Sequence, residues 1–133
     1  MKNLKIYASL IVLAIAFNLN SCSSSSSSPG ETIKKSYDLI KSNQAEKAAA
    51  MYVSSKGEML SKDDIKKMAE LAGMATDQWN KKGGLKNVEI TEETIAEDGK
   101  SAKVTIIENY NNGDTEEETG ELLKIDGKWY IKL

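Results

Sequence analysis

An α+β domain, with helices first and an antiparallel meander second, is the fold class that this sequence predicts, and three observations predict it. Apolar residues in the first half of the folding region recur at spacings of three and four, whereas those of the second half tend to alternate. The second half is also cut by Asp98-Gly99, by Asn111-Asn112-Gly113-Asp114 and by Asp126-Gly127, turn sequences that join neighbouring strands tightly. Helices followed by strands segregate into layers, so the helices are expected on one side of a curved, four-stranded antiparallel sheet.

The first helix is expected over Glu31 to Ser42, where Ile33, Tyr37 and Ile40 share a face and Lys34, Lys35, Asp38 and Lys41 lie off it. Asn43 interrupts, and with Glu46 three residues on it reads as the cap of a short Ala-rich helix, Gln44 to Met51. Tyr52 to Leu60, with Val53, a Ser pair and Gly57, reads as an irregular connection with at most a strand-like turn. Ser61 and Asp64 form a second capping box and open the longest helix. Its stripe of Ile65, Met68, Ala72, Ala75 and Trp79, flanked by Leu71, is expected to fill the concavity of the sheet. Gly73 inside that stripe costs about 1 kcal/mol relative to Ala, and a close packing contact is the expected reason for it. Lys81-Lys82 suit the helix dipole and Gly83-Gly84 supply the stop.

From Leu85 the period becomes strand-like. Val88 to Ala96 alternates imperfectly, Ser101 to Tyr110 is rich in Val, Ile and Thr, Thr115 to Ile125 runs back, and Lys128 to Leu133 closes the chain. On that last strand Trp129, Ile131 and Leu133 share one face, while Lys128, Tyr130 and Lys132 share the other.

Ahead of the domain, Lys2 and Lys5 precede an apolar run from Ile6 to Phe17, too short for a hydrocarbon core that needs about 20 residues and closed by Asn18, Asn20 and Ser21. The sequence Leu19-Asn20-Ser21-Cys22 resembles the lipobox of bacterial lipoproteins, with an aliphatic residue three before the cysteine and a small one directly before it. The resemblance implies cleavage before Cys22, diacylglycerol on its sulfur and acylation of the new amino group. Two or more chains make a stable anchor where one binds only marginally. The expected organisation is therefore a signal peptide over residues 1–21, a lipidated Cys22 and Ser-rich tether over 22–30 ending in a Pro29-Gly30 turn, and a domain over 31–133. Ser23 is not the Asp that such lipoproteins use for inner-membrane retention. Outer-membrane attachment facing the periplasm is expected, with surface exposure left open. A secreted protein with a lone thiol at Cys22 is the plain alternative.

Composition excludes several classes. All 18 bases are lysines, scattered among 20 acids, so the footprint that nucleic acid requires is missing from the sequence. The chain has no His, and its one Cys is expected to carry lipid, which removes Cys-His and Ser-His-Asp chemistry. The acids of Glu89 to Asp98 and of Asp114 to Glu121 lack EF-hand spacing and alternate between faces, which reads as a solvated sheet surface. No catalytic residue, cofactor or metal ligand is assigned.

The order of elements, with Asn43-Gln44-Ala45-Glu46-Lys47-Ala48 at a helix start and Asp126-Gly127-Lys128-Trp129-Tyr130-Ile131 at the close, resembles the DUF4878 lipoproteins of the NTF2-like, cystatin-like-cone superfamily. That resemblance implies a cone-shaped sheet over Glu31 to Leu133. Some NTF2-like domains are enzymes similar to ketosteroid isomerase, with an Asp or Tyr buried in the cone. Tyr37, Tyr52, Asp77 and Tyr110 are the residues able to supply such a group here, although no family motif fixes one. The cavity or packing residues expected are Tyr37, Tyr52, Met68, Trp79, Tyr110 and Trp129. The function expected is that of a membrane-anchored, non-enzymatic envelope lipoprotein that binds a small molecule or an envelope protein. An enzyme using an Asp or Tyr in the cone, and a purely structural lipoprotein, are the alternatives.

Overall fold

The computed structural model describes residues 27–133; Cys22 and the segment before it lie outside the described residues. The first helix, α1 (Pro29–Lys41), begins two residues ahead of the expected start. Ser28 Oγ accepts from the Glu31 N–H at 3.2 Å, and Glu31 Oε2 accepts from the Ser28 N–H at 3.0 Å, closing a capping box. Pro29 has no N–H to lose in the first turn, so Pro29 and Gly30, expected as a turn in the tether, are instead helical and buried.

Asn43 also has a different task from the one expected. At φ 58° it ends α1, with its own N–H donating to Ile40 O at 3.1 Å and the Gln44 N–H to Leu39 O at 2.8 Å. Those two bonds satisfy carbonyls the helix would otherwise leave open. The short α2 (Ala45–Ala49) then starts without a side-chain cap. After α2 come β1 (Tyr52–Val53) and α3 (Lys62–Lys81), which Ser61 caps by accepting from the Asp64 N–H at 3.2 Å, although the Asp64 carboxylate accepts from the Ser61 hydroxyl at 2.6 Å in place of the backbone N–H that the expected capping box requires. The same two-bond ending recurs around Gly83, whose φ of 82° suits glycine.

Four strands follow: β2 (Leu85–Ile95), β3 (Ser101–Tyr110), β4 (Thr115–Ile125) and β5 (Lys128–Lys132). They pair antiparallel in sequence order, but the sheet has five strands in the order β1-β5-β4-β3-β2, not four. The addition is β1, parallel to β5, with the Ile131 N–H donating to Met51 O at 2.9 Å and the Leu133 N–H to Val53 O at 3.0 Å. Two register shifts in β2 explain its imperfect alternation. Val88 and Ile90 stand opposite Glu108 and Ile106, but after the second shift Glu93 and Ile95 take the inward positions, opposite Val104 and Ala102. Glu93 thereby reaches the start of α1, where Oε2 accepts from the Gly30 N–H at 2.9 Å.

The core lies between α1 and the inner sheet face, where Ile33 meets Val104, Ile106, Leu122, Trp129 and Ile131. It is α1, not α3, that fills the concavity. Of the α3 stripe only Trp79 is buried, while Ile65, Met68, Ala72 and Ala75 are half-buried and Leu71 is exposed, because α3 lies chiefly on α2. The expected close contact at Gly73 is absent, with nothing within 4 Å of an added Cβ, and the structure does not explain this glycine. Leu133, expected to share the buried face of β5, lies beyond the strand's end and is 54% exposed. The β2–β3 and β4–β5 turns mark one end of the sheet and the β3–β4 turn the other. No helix of the described residues is long and apolar enough to cross a membrane.

Candidate functional site

Alternation along β3 sends Ala102, Val104, Ile106, Glu108 and Tyr110 inward, and Glu108 is the charged member of that set. It is only 6% exposed. A buried carboxylate needs hydrogen-bond donors, and two tyrosines supply them. From α1 the Tyr37 hydroxyl donates to Glu108 Oε1 at 2.6 Å, and from the end of β3 the Tyr110 hydroxyl donates to Glu108 Oε2.

Antiparallel register places Glu116 of β4 directly across from Glu108, an unfavourable like-charge pair on one sheet face. Two groups temper it. The Tyr110 oxygen lies 2.8 Å from Glu116 Oε2, so its single hydrogen sits between the two carboxylates. Lys82, at the C-cap of α3, forms an ion pair with Glu116 Oε1 and stands 4.3 Å above the Tyr110 ring. The result is a row Tyr37–Glu108–Tyr110–Glu116–Lys82 running from the interior to the rim at the β3–β4 end.

Burial, and then donation to Glu108 with its negative charge, push the Tyr37 hydroxyl far above the ordinary tyrosine value. Tyr110 is raised in the same way by burial and by Glu108 and Glu116. Tyr52 is raised by burial, which a hydrogen bond with Ser36 partly offsets. Hydrogen bonds from Lys82 and Tyr110 hold Glu116 below the usual carboxylate range. The sign of the pH effect follows from the tyrosines. The folded protein keeps protons that the unfolded chain releases near about pH 10, so their contribution is complete below that pH and is lost as pH rises through the raised values. In an alkaline titration followed by ultraviolet absorbance and circular dichroism, tyrosinate from Tyr37, Tyr52 and Tyr110 is expected to appear only together with loss of structure. Ionisation of all the tyrosines near pH 10 in a chain that remains folded would contradict this.

Two cavities meet at Glu108. One, of about 260 Å³, lies among the helices against Ile40, Ala48, Met68, Ala75 and Trp79; the other, of about 270 Å³, lies over the sheet against Ile33, Ile106, Glu118, Gly120 and Ile131. Tyr37, Tyr52 and Glu108 line both. Of the residues singled out in the sequence, Tyr37, Tyr52 and Tyr110 are therefore brought together around Glu108. Met68 and Trp79 line the first cavity, with the Trp79 ring stacked on Tyr37 at 5.7 Å. Trp129 stands apart as a core residue near the β4–β5 turn, with the Lys124 ammonium 5.5 Å from its ring. Asp77 is exposed on α3 and takes no part. Sequence reasoning missed Glu108, Glu116 and Lys82. The signal for Glu108 was present, since it interrupts the inward set of β3, whereas the other two join the site only through register and helix placement. Among the described residues no group of three or more Cys, His, Asp or Glu is placed to hold a metal ion.

No curated protein matches this chain. Among solved structures, a protein from Campylobacter jejuni described as an NTF2-like transpeptidase is similar over 80% of this chain and 99% of its own, at 22% identity and a TM-score of 0.66. Aln2 from a Streptomyces species is similar over 77% of this chain and 81% of its own, at 14% identity and a TM-score of 0.45. The first likeness is one of fold: helices against a mixed sheet in the NTF2-like arrangement. The family described as "Domain of unknown function (DUF4878)" matches residues 21–132, and with the NTF2-like fold just described the chain belongs to that family.

Proposed function

We propose that this protein is a non-enzymatic binding module of the bacterial envelope, attached to the outer membrane through lipid on Cys22, whose cone takes a small ligand with an apolar body and a hydrogen-bond-donating head. The observation that carries the reading is Glu108, a buried carboxylate in the wall shared by two cavities. An apolar cavity with a few convergent polar groups is the usual form of a small-molecule site. A carboxylate offers about four acceptor positions, and Tyr37 and Tyr110 occupy one on each oxygen, which leaves acceptor capacity for an amine or hydroxyl.

Binding is favoured over catalysis because the Tyr37 and Tyr110 hydroxyls, the proton donors nearest the carboxylate, hold their protons firmly. The transpeptidase description belongs to the Campylobacter jejuni protein. This chain has no His, so a thiol–imidazole pair cannot be assembled in the cone.

The test is a thermal-shift series on the mature chain carrying Cys22→Ser, using amphiphiles that share one apolar body and differ in head group. Amine and alcohol heads are expected to raise Tm and the carboxylate head to leave it unchanged, and Glu108→Gln is expected to remove the preference for the amine. Absence of any shift across the series would sink the ligand reading. Mass spectrometry of the exported protein tests the anchor: acyl groups on an N-terminal Cys22 are expected, and a free thiol or another N-terminus would overturn it.

A further inference from the structure

A groove of about 410 Å³ lies where the tether enters the domain, with Ser27, Thr32, Lys35, Lys47 and Lys128 among its lining residues. These lysines come from α1, α2 and β5, and no acid lines the groove. Lys124 lies over the ring of Trp129, itself a lining residue, and adds a fourth ammonium nearby. Among the described residues the ion pairs engage Lys82 and Lys132, so none of these four is neutralised by a carboxylate. That concentration stands out on a chain with 20 acids and 18 bases.

We propose that this groove is a docking surface for the anionic phospholipid headgroups of the membrane that holds the protein. The inference rests on the lipid anchor at Cys22. Five residues separate Cys22 from the helix cap Ser28, a reach of at most about 22 Å over six steps of the chain. The groove, with Ser27 in its wall, is then the part of the domain kept nearest the headgroups. Surface charges act over a Debye length of about 8 Å at physiological ionic strength, so a short tether holds these lysines close to where the attraction operates. Phosphate oxygens accept from ammonium groups, and charge-assisted hydrogen bonds of this kind are the strong ones. That attraction holds the groove toward the bilayer.

Co-sedimentation of the mature chain carrying Cys22→Ser with vesicles tests the surface without help from the lipid. At low ionic strength it is expected to partition onto phosphatidylcholine vesicles containing phosphatidylglycerol, not onto phosphatidylcholine alone, and to be released by salt. Each lysine at an anionic surface is worth roughly fivefold in partitioning, so combining Lys35→Gln, Lys47→Gln and Lys128→Gln is expected to weaken binding about a hundredfold. The control that combines Lys62→Gln, Lys66→Gln and Lys67→Gln on α3 makes the same change of charge outside the groove and is expected to retain most of the binding. Equal binding to both vesicle types, equal loss in the two triple variants, or competition for the groove by inorganic phosphate with no vesicle binding would each overturn the proposal. Acylation of Cys22, read separately by mass, keeps failure of this surface distinct from failure of the anchor.

Discussion

Trp129→Ala is expected to destabilise the domain by about 3 to 5 kcal/mol, read by urea unfolding of the mature chain. The indole is 6% exposed on the inner face of β5, in the cluster with Ile33, Leu122 and Ile131, and truncation leaves a hole that a sheet held by cross-strand bonds cannot close. Since small domains have only about 5 to 15 kcal/mol in total, the variant should be close to unfolding at room temperature. Trp79→Ala is expected to fall in the same range or somewhat below it, because Trp79 already borders a cavity and its neighbours on α3 are free to settle inward. A loss under about 1 kcal/mol at Trp129 would show that the ring is not a core element.

The second large effect is expected from a single oxygen. Tyr110→Phe keeps the ring and its packing but removes the hydrogen between Glu108 and Glu116, leaving two carboxylates face to face across β3 and β4. Hydrogen bonds to charged groups contribute about 1.5 to 3 kcal/mol, and the loss should lie in that range. The diagnostic is rescue. Adding Glu116→Gln to Tyr110→Phe removes one of the opposed charges and should recover part of the stability, whereas Glu116→Gln alone should not stabilise a protein whose Lys82 then loses its ion pair. If the double variant is no more stable than Tyr110→Phe, repulsion is not what the hydroxyl relieves.

What could be read from the sequence was whatever local chemistry decides. Ser61 caps α3, Gly83 stops it, and the Asp98-Gly99, Asn112-Gly113 and Asp126-Gly127 turns space β2 to β5 nearly as expected, because each signal acts within a few residues. The misreadings have two sources. Asn43 suits both a helix cap and a left-handed residue, and Pro29 suits both a turn and a first helical turn; only the hydrogen bonds formed distinguish these uses. The other source is distance along the chain. The pairing of Tyr52-Val53 with β5, the choice of α1 over α3 for the concavity, and the meeting of Lys82 with Glu116 are decided between segments far apart in sequence. The groove lysines illustrate the same limit, since residues 35, 47 and 128 form no run that a sequence would display. At the candidate site the tyrosines were legible as aromatic members of apolar faces, while the carboxylate that unites them was visible only as a break in alternation.

The two register shifts of β2 also bear on association between copies of the chain. β2 is the long outer strand of the sheet, eleven residues with one row of backbone groups unpaired, and such an edge is a template for a strand from another molecule. The shifts put that row out of step at two places, and the charged Lys86, Glu89 and Glu92 stand along it. At the other edge β1 is only two residues long. Neither border offers an even, uncharged stretch on which a foreign strand could zip up, and interrupted, charged or very short edges are the devices that oppose edge-to-edge growth of sheets.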